Sequence, residues 1–336
     1  MEPKLHLGRN PLRSNRQPVR GQQVTLEGEA FYQIANYDRM RPFFMTVVSD
    51  ADHWMFISSN GGLTAGRREA NNALFPYYTD DKIRDMADVT GSKTLLRVRR
   101  HNRTSLWEPF SERGAGLYRV CRNLYKNFWG NQLVFEEINE DLELTFRYGW
   151  FNSEQFGFVR RAWLTNTGKS SVRVQLLDGV QNLMPCGVGS QFNLEYSTLL
   201  DAYKKSELLT PAGLGLFRLS AIPVDRPEPA EALKTTVAWS MGLKRQLTLL
   251  SSRQLDHFRT GRRVHPETDV RAERGAYFLQ AEVPLRGGQS TDWLVVADVS
   301  QGPADIVRLE QLLRQPARLR RLVLEDVQRG TTELQR

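Results

Sequence analysis

The chain has 336 residues, 40% of them hydrophobic and 10% aromatic, so it can bury a substantial core and wholesale disorder is excluded. No apolar run approaches the roughly 18 residues of a membrane helix, the first residues lack a signal-peptide core, and two cysteines, Cys121 and Cys186, imply no disulfide framework, so a reducing cytoplasm is the expected compartment. The net charge of +8 gathers at the ends, with +4 in residues 1–22 and +2 in residues 302–336, which leaves the body without a nucleic-acid footprint.

Residues 1–23 are polar, basic and proline-containing, and predict a flexible arm. From residue 24 to 301 the dominant pattern is period-two alternation. In "HWMFISS" Trp54 and Phe56 alternate with Met55 and Ile57, an apolar strand. "SSNGGLTAGRREAN" (58–71) follows it, and Asn60-Gly61 predicts a hairpin with a type I′ turn, which needs positive φ at both central positions. The same stretch, with Arg67 and Arg68, could cradle an anion, but it lacks the Lys-Ser/Thr pair that closes a phosphate loop.

"PYYTDDKIRDMADVTG" (76–91) predicts one short helix, with Ile83, Met86 and Ala87 at helical spacing. In "LELTFRYGW" Leu142, Leu144, Phe146 and Tyr148 face one way, and "SVRVQLL" repeats the pattern with Val172, Val174 and Leu176. "NLEYSTLLDAYKKSELL" (193–209) fits either period, and "SAIPVDRPEPAEAL" (220–233) reads as a long surface loop. Many strands with few helical runs predict one large antiparallel sandwich. At residue 302 the period changes. Ile306, Leu309, Leu312 and Leu313, then Leu319, Leu322, Val323 and Val327, mark two amphipathic helices opened by Pro303 and Pro316. Their stripe is expected to dock outside the sandwich, on a further domain or a partner.

Candidate chemistry is sparse. Asp256, His257, His265 and Glu267 lie within twelve residues, and Asp50, Asp52 and His53 within four, but neither spacing matches a zinc frame. Cys186, in "PCGVGSQ", has no neighbouring base. Asp80-Asp81, Glu136-Glu137 and Glu140-Asp141 are adjacent pairs whose members point to opposite faces of a strand, and they read as surface acids. Trp107, Trp129, Trp150, Trp163, Tyr77, Tyr78 and Phe75 offer rings that either fill a core or stack on sugars.

Four stretches carry a resemblance: "PFFMTVVSDADHWMFISSNGGLTAGRREANNALFPY", "TSLWEPF", "FVRRAWLTNTGKSSVRVQLLDGVQNLMP" and "QFNLEYS". Over roughly residues 30–300 the chain resembles the N-terminal domain of cellobiose phosphorylase-type glycoside phosphorylases. The resemblance implies a mainly β fold, a large antiparallel β-supersandwich of galactose mutarotase-like type over residues 24–301, followed by a short helical linker over residues 302–336. It implies a domain without chemistry of its own, supporting a catalytic α/α-barrel that lies elsewhere or is separately encoded, as a homodimer acting on an oligosaccharide. The resemblance implies no resident cofactor and inorganic phosphate as a co-substrate of the whole enzyme; nucleic acid and membrane are not expected partners. The family's substrate-facing loop falls at Asn193, Glu195 and Tyr196, although Asn193-Leu194 replaces the family's Gln-Arg pair. In this reading Arg67 and Arg68 form interdomain salt bridges. The alternatives are a self-sufficient mutarotase-like enzyme, with His257 or His265 as acid and a glutamate as base, or a carbohydrate-binding or assembly module.

Overall fold

The computed structural model describes residues 5–13, 15, 17–100, 102–221 and 233–336, so most of the proline-rich loop read at 220–233 lies outside the described residues. Among the described residues three large antiparallel sheets, one two-stranded ribbon and six α-helices build the fold. Eleven strands form the largest sheet, in the order Asp269–Arg271, Lys204–Leu209, Leu214–Leu219, Thr235–Met241, Ser290–Gln301, Gly157–Asn166, Leu144–Ser153, Leu133–Asn139, Val120–Asn127, Glu29–Ala35 and Arg20–Leu26. Against its inner face lie a five-stranded sheet, Arg103–Trp107, Gly91–Arg100, Val172–Leu183, Gly275–Leu285 and Arg245–Leu249, and a four-stranded one, Phe44–Thr46, His53–Ser58, Leu63–Arg67 and Ala73–Phe75. The chain is therefore a mainly β antiparallel sandwich, as the alternation predicts. Phe146, Trp150, Leu164, Leu176, Tyr277 and Trp293 fill the space between the sheets.

The helices are α1 (Asp80–Asp85), α2 (Ser190–Glu195), α3 (Ser197–Tyr203), α4 (Leu255–Arg259), α5 (Pro303–Leu313) and α6 (Pro316–Leu334). Helix α1 falls where Ile83 and Met86 place it, and the ambiguous 193–209 stretch divides into α2, α3 and the strand from Lys204. Prolines at the first turns of α5 and α6 each remove one N–H that would have no partner within the helix.

Two expectations are corrected. The stripe of the terminal helices does not dock outside the sandwich: Leu309, Leu319, Val323 and Val327 are buried on the outer face of the eleven-stranded sheet, in one cluster with Phe31, Val159, Trp239 and Val296. Polar contacts fix the same seam, with Gln155 N–H donating to Asp326 (3.0 Å) and Asn131 Nδ2 to Thr331 (2.8 Å). Periodicity shows that a helix face is apolar, not which surface covers it. Nor is the basic arm free to residue 23. His6–Leu7 pairs with Asn10–Pro11, Arg13 N–H donates to Gly116 (2.8 Å), and Arg20–Leu26 is an edge strand.

The glycine-rich stretch is a hairpin, with His53–Ser58 paired to Leu63–Arg67, but its turn is not type I′. Gly61 N–H donates to Ser58 (2.8 Å) and Ser58 N–H to Gly62 (2.7 Å), and of the two central residues Gly61 alone has positive φ, at 91°. This is a type I turn closed by a left-handed glycine, the common three-residue solution. Arg67 pairs with Asp52 (2.6 Å) and Asp298 (3.2 Å), and Arg68 with Asp52 (3.0 Å). These bonds stay inside the sandwich, so the interdomain role expected of the two arginines is replaced by an internal one.

Candidate functional site

A cleft of about 410 Å³ opens where the three sheets meet. The large sheet supplies Arg122 and Tyr148, and the short helical turn Tyr37–Arg39 adds Tyr37 and Asp38. The five-stranded sheet supplies Ser92, Lys93 and Thr94. Asn60 and Gly61 form one lip, and Pro109 to Arg113 the other. The tight turn at Gly61 brings the hairpin to the cleft: a Cβ there would stand 3.2 Å from the Tyr148 hydroxyl.

Most cations and carboxylates in and behind the cleft are paired. Arg122 pairs with Glu137 (2.8 Å) and Glu112 (2.7 Å). Glu137, 2% exposed, also accepts from Trp107 Nε1 (2.7 Å) and Phe110 N–H (2.7 Å), which satisfies a buried charge. Burial pulls the Arg122 pKa down, but Glu137, Tyr37 and Glu112 outweigh it and hold the guanidinium well above its usual value. Lys93 bridges Asp88 and Glu108, and Glu108 is clasped from its other side by Arg259 (2.8 and 2.9 Å). Burial acts to raise Glu108, but Arg259 and Lys93 bring it below the ordinary carboxylate range. Tyr37 and Tyr148 are both pushed up by burial, so their phenols stay protonated as donors. Asp38, on the open rim, has no side-chain cation in hydrogen-bond contact among the described residues; desolvation raises its pKa against the pull of Arg122.

Beneath Ser92 and Thr94 lies a fully buried ion pair joining two sheets. Arg160 grips Asp178 through both terminal nitrogens (2.8 Å each), with both side chains at 0% exposure. Thr94 Oγ1 (2.6 Å) and Trp293 Nε1 (2.6 Å) also donate to Asp178, and Arg160 Nε donates to Ser92 (2.8 Å). The cleft floor is thereby fixed from below.

The residues nominated from sequence lie elsewhere. Asn193 is buried on α2, with its Nδ2 lacking a partner, while Glu195 and Tyr196 are exposed; Glu195 accepts from Gln191 (2.9 Å) and Tyr196 leans on Phe192 (centroids 5.6 Å). None of the three lines the cleft. Asp256 is taken by Arg259 (2.7 Å) and Glu267 by the backbone of Leu250 and Ser251 (2.8 and 2.9 Å). Among the described residues no group of three or more metal-ligating side chains gathers. Cys186 Sγ meets Ser300 Oγ at 3.5 Å. Of the rings, Trp107, Trp150 and Phe75 are core and Tyr78 is buried, whereas Trp129 and Tyr77 are exposed and Trp163 is half-buried. Glu136 and Glu137 are not surface acids: they do face opposite ways, but both are buried, Glu136 accepting from Asn123 (2.7 Å), Tyr125 (2.7 Å) and Arg147.

No protein-family profile matches the chain, and no curated protein matches it in sequence. Among solved structures it is similar to a bacterial glucoamylase complexed with acarbose, at 9% identity and a TM-score of 0.48, over 97% of this chain and 39% of that one. It is also similar to a proposed aldose 1-epimerase from Klebsiella pneumoniae subsp. pneumoniae (9% identity, TM-score 0.38, 88% of this chain, 91% of that one). A third similar structure is a proposed kojibiose phosphorylase from human microbiome (7% identity, TM-score 0.36, 71% of this chain, 27% of that one). The chain thus spans about two fifths of the glucoamylase.

Proposed function

We propose that the chain is a sugar-binding sandwich domain without chemistry of its own, serving a carbohydrate-active enzyme of glycoside phosphorylase or hydrolase type. One observation carries the reading: the cleft sets Tyr37, Phe110 and Tyr148 among cations and carboxylates that, Asp38 aside, are paired with one another. A site of paired charges with fixed donors and acceptors beside aromatic rings suits a neutral polyol better than an anion. Phosphate, as co-substrate, belongs in this reading to a catalytic barrel rather than to this cleft. The barrel and a homodimer remain the proposed partners on the strength of the sequence resemblance, since the terminal helices are used internally.

The mutarotase-like alternative needs a glutamate base and a histidine acid converging on one substrate. Glu112 is held by Arg122, and no histidine is among the residues lining the cleft. Among the described residues Asp38 is the one cleft-lining carboxylate outside an ion pair, and one carboxyl does not supply both roles. Titrating glucose, galactose and cellobiose into the labelled chain should shift the amide signals of Asn60, Gly61 and Ser111. Anomer exchange and phosphate-dependent release of sugar 1-phosphate should stay at buffer rates. Unmoved signals would remove the cleft as a sugar site, and exchange abolished by Asp38→Asn would replace the reading with catalysis.

A further inference from the structure

The four-stranded sheet buries Met55, Ile57, Ala65 and Phe75 on its inner face. The outward positions of its first two strands carry Phe44, Trp54 and Phe56, and Tyr77 follows its last strand. Phe44 and Tyr77 are 38% and 43% exposed. Phe44 and Phe56 lie near parallel, 6.1 Å apart and 9° between planes, and Trp54 continues the row at 6.4 Å and 33°. Tyr77 stands edge-on to Trp54 at 5.6 Å and 82°, a wall at the end of a floor. The cleft reading leaves these rings unused.

The floor is held in place. A Cβ on Gly66 would sit 2.4 Å from the Trp54 ring, so the indole lies across the backbone at a residue that has no side chain. Its N–H donates to the Glu69 carbonyl (3.3 Å), which ties down the polar edge of a ring that is partly exposed. An aromatic face carries negative potential, and it attracts the polarised C–H groups that one side of a sugar ring presents. Nucleic-acid bases also stack on rings, but they bring phosphates that need free cations. Here Arg68 is drawn to Asp52 (3.0 Å) and Lys82 lies over the Tyr78 ring (4.3 Å). The exposed polar neighbours, Thr46 opposite Phe56 and the Glu69 side chain, suit hydroxyls.

We propose that this outer face is a surface glycan site that holds an extended polysaccharide chain along Phe44, Phe56 and Trp54, with Tyr77 closing one end. It does not rest on the cleft reading. Electrophoresis of the full chain through native gels containing hydroxyethyl cellulose, galactomannan, xylan or amylopectin tests it. Retardation is expected in at least one of the three extended glycans and not in coiled amylopectin. Trp54→Ala and, at the exposed edge strand where unfolding is less of a risk, Phe44→Ala should each weaken it about tenfold with an unchanged melting temperature. Trp54→Phe should retain most of it, and Tyr32→Ala, at an exposed ring that belongs to neither this face nor the cleft, all of it. Free mobility in all three extended glycans overturns the proposal, as does a preference for amylopectin. Retardation lost with Asp38→Asn but kept in Trp54→Ala would move the glycan to the cleft. Binding of a 20-mer oligo-dT in place of glycan would make the face a nucleic-acid platform.

Discussion

Val159 and Arg160 are consecutive residues of one strand, and they belong to different kinds of structure. Val159 points outward, into the apolar cluster that α5 and α6 close with Leu319 and Val323. Arg160 points inward to Asp178, Thr94 and Ser92, at 0% exposure. Both sides are buried, but the outer seam is held mainly by non-directional burial, whereas the inner layer at Arg160, set into an otherwise apolar core, is held by directional bonds. The outer seam should tolerate any apolar filling of the right volume. The inner layer should tolerate very little, because each group removed leaves a partner buried and unpaired. A sandwich that keeps a polar cleft open between its sheets needs the second kind of contact there: apolar side chains would pack the space shut.

The largest effect should follow loss of the outer seam. Removing residues 302–336 takes away Leu309, Leu319 and Val323 and uncovers Val159, Trp239 and Val296. At roughly 1.5–3 kcal/mol per buried side chain, the loss is on the order of 5–10 kcal/mol, comparable with the whole stability of a domain. Urea denaturation of residues 1–301 should show no cooperative transition, or one at far lower urea. A midpoint within error of the full chain would mean that the helices are an appendage.

The inner layer gives the next effect, and it tests directionality. Asp178→Ala leaves Arg160, Thr94 and Trp293 facing an empty acceptor position, which should cost about 3–5 kcal/mol. Replacing both partners, Arg160→Met with Asp178→Leu, should recover much of that loss, because no charge is then left unpaired. Denaturation of the single and double variants supplies the cycle. A double variant as unstable as the sum of its parts would show that shape, not charge pairing, holds the inner layer.

What the sequence made legible follows the same division. Period-two runs such as Leu144–Phe146–Tyr148 revealed the strands, and Pro303 and Pro316 marked the helices, because these signals are local. Glu136-Glu137 was legible only in part. Alternation placed the two side chains on opposite faces, but not the cover that both faces receive, which comes from distant segments. Arg122, Lys93 and Glu108 carried no signal of a cleft, since their partners lie up to 151 residues away, as Arg259 does from Glu108. Asp178 did leave a mark. An acid inside the apolar run "VQLLDGVQNL" sits at a position that burial forbids without a partner, and Arg160 in "GFVRRAW" is the matching anomaly.

The smallest effect concerns His53, which lies where the two regions meet: its ring stands edge-on to Phe158 (4.9 Å), and Asp326 of α6 belongs to its surroundings. Nδ1 is 3.2 Å from Ser49 Oγ, and Nε2 is buried without a partner. Burial first, and Arg67 second, lower its pKa from 6.5 to about 4, against the opposing pull of Asp52 and Asp326. Between those values the unfolded chain binds a proton that the folded chain refuses, so stability rises with pH through the window and falls as the solution is acidified. Asp298 runs the other way: burial raises it to about 6 despite Arg67, so the folded chain keeps a proton that the unfolded chain has lost, and stability falls as pH rises between 3.8 and 6. The wild-type profile is the sum of the two, and only a difference isolates the histidine. His53→Phe keeps an apolar ring on Phe158 and removes the titration, while Asp298 still titrates in both proteins. From pH 7 to pH 4 the wild type should lose roughly 3 kcal/mol more than His53→Phe does, measured by urea denaturation at each pH. Parallel profiles would mean that the imidazole accepts its proton in place, and that the junction between the apolar seam and the polar layer is wet.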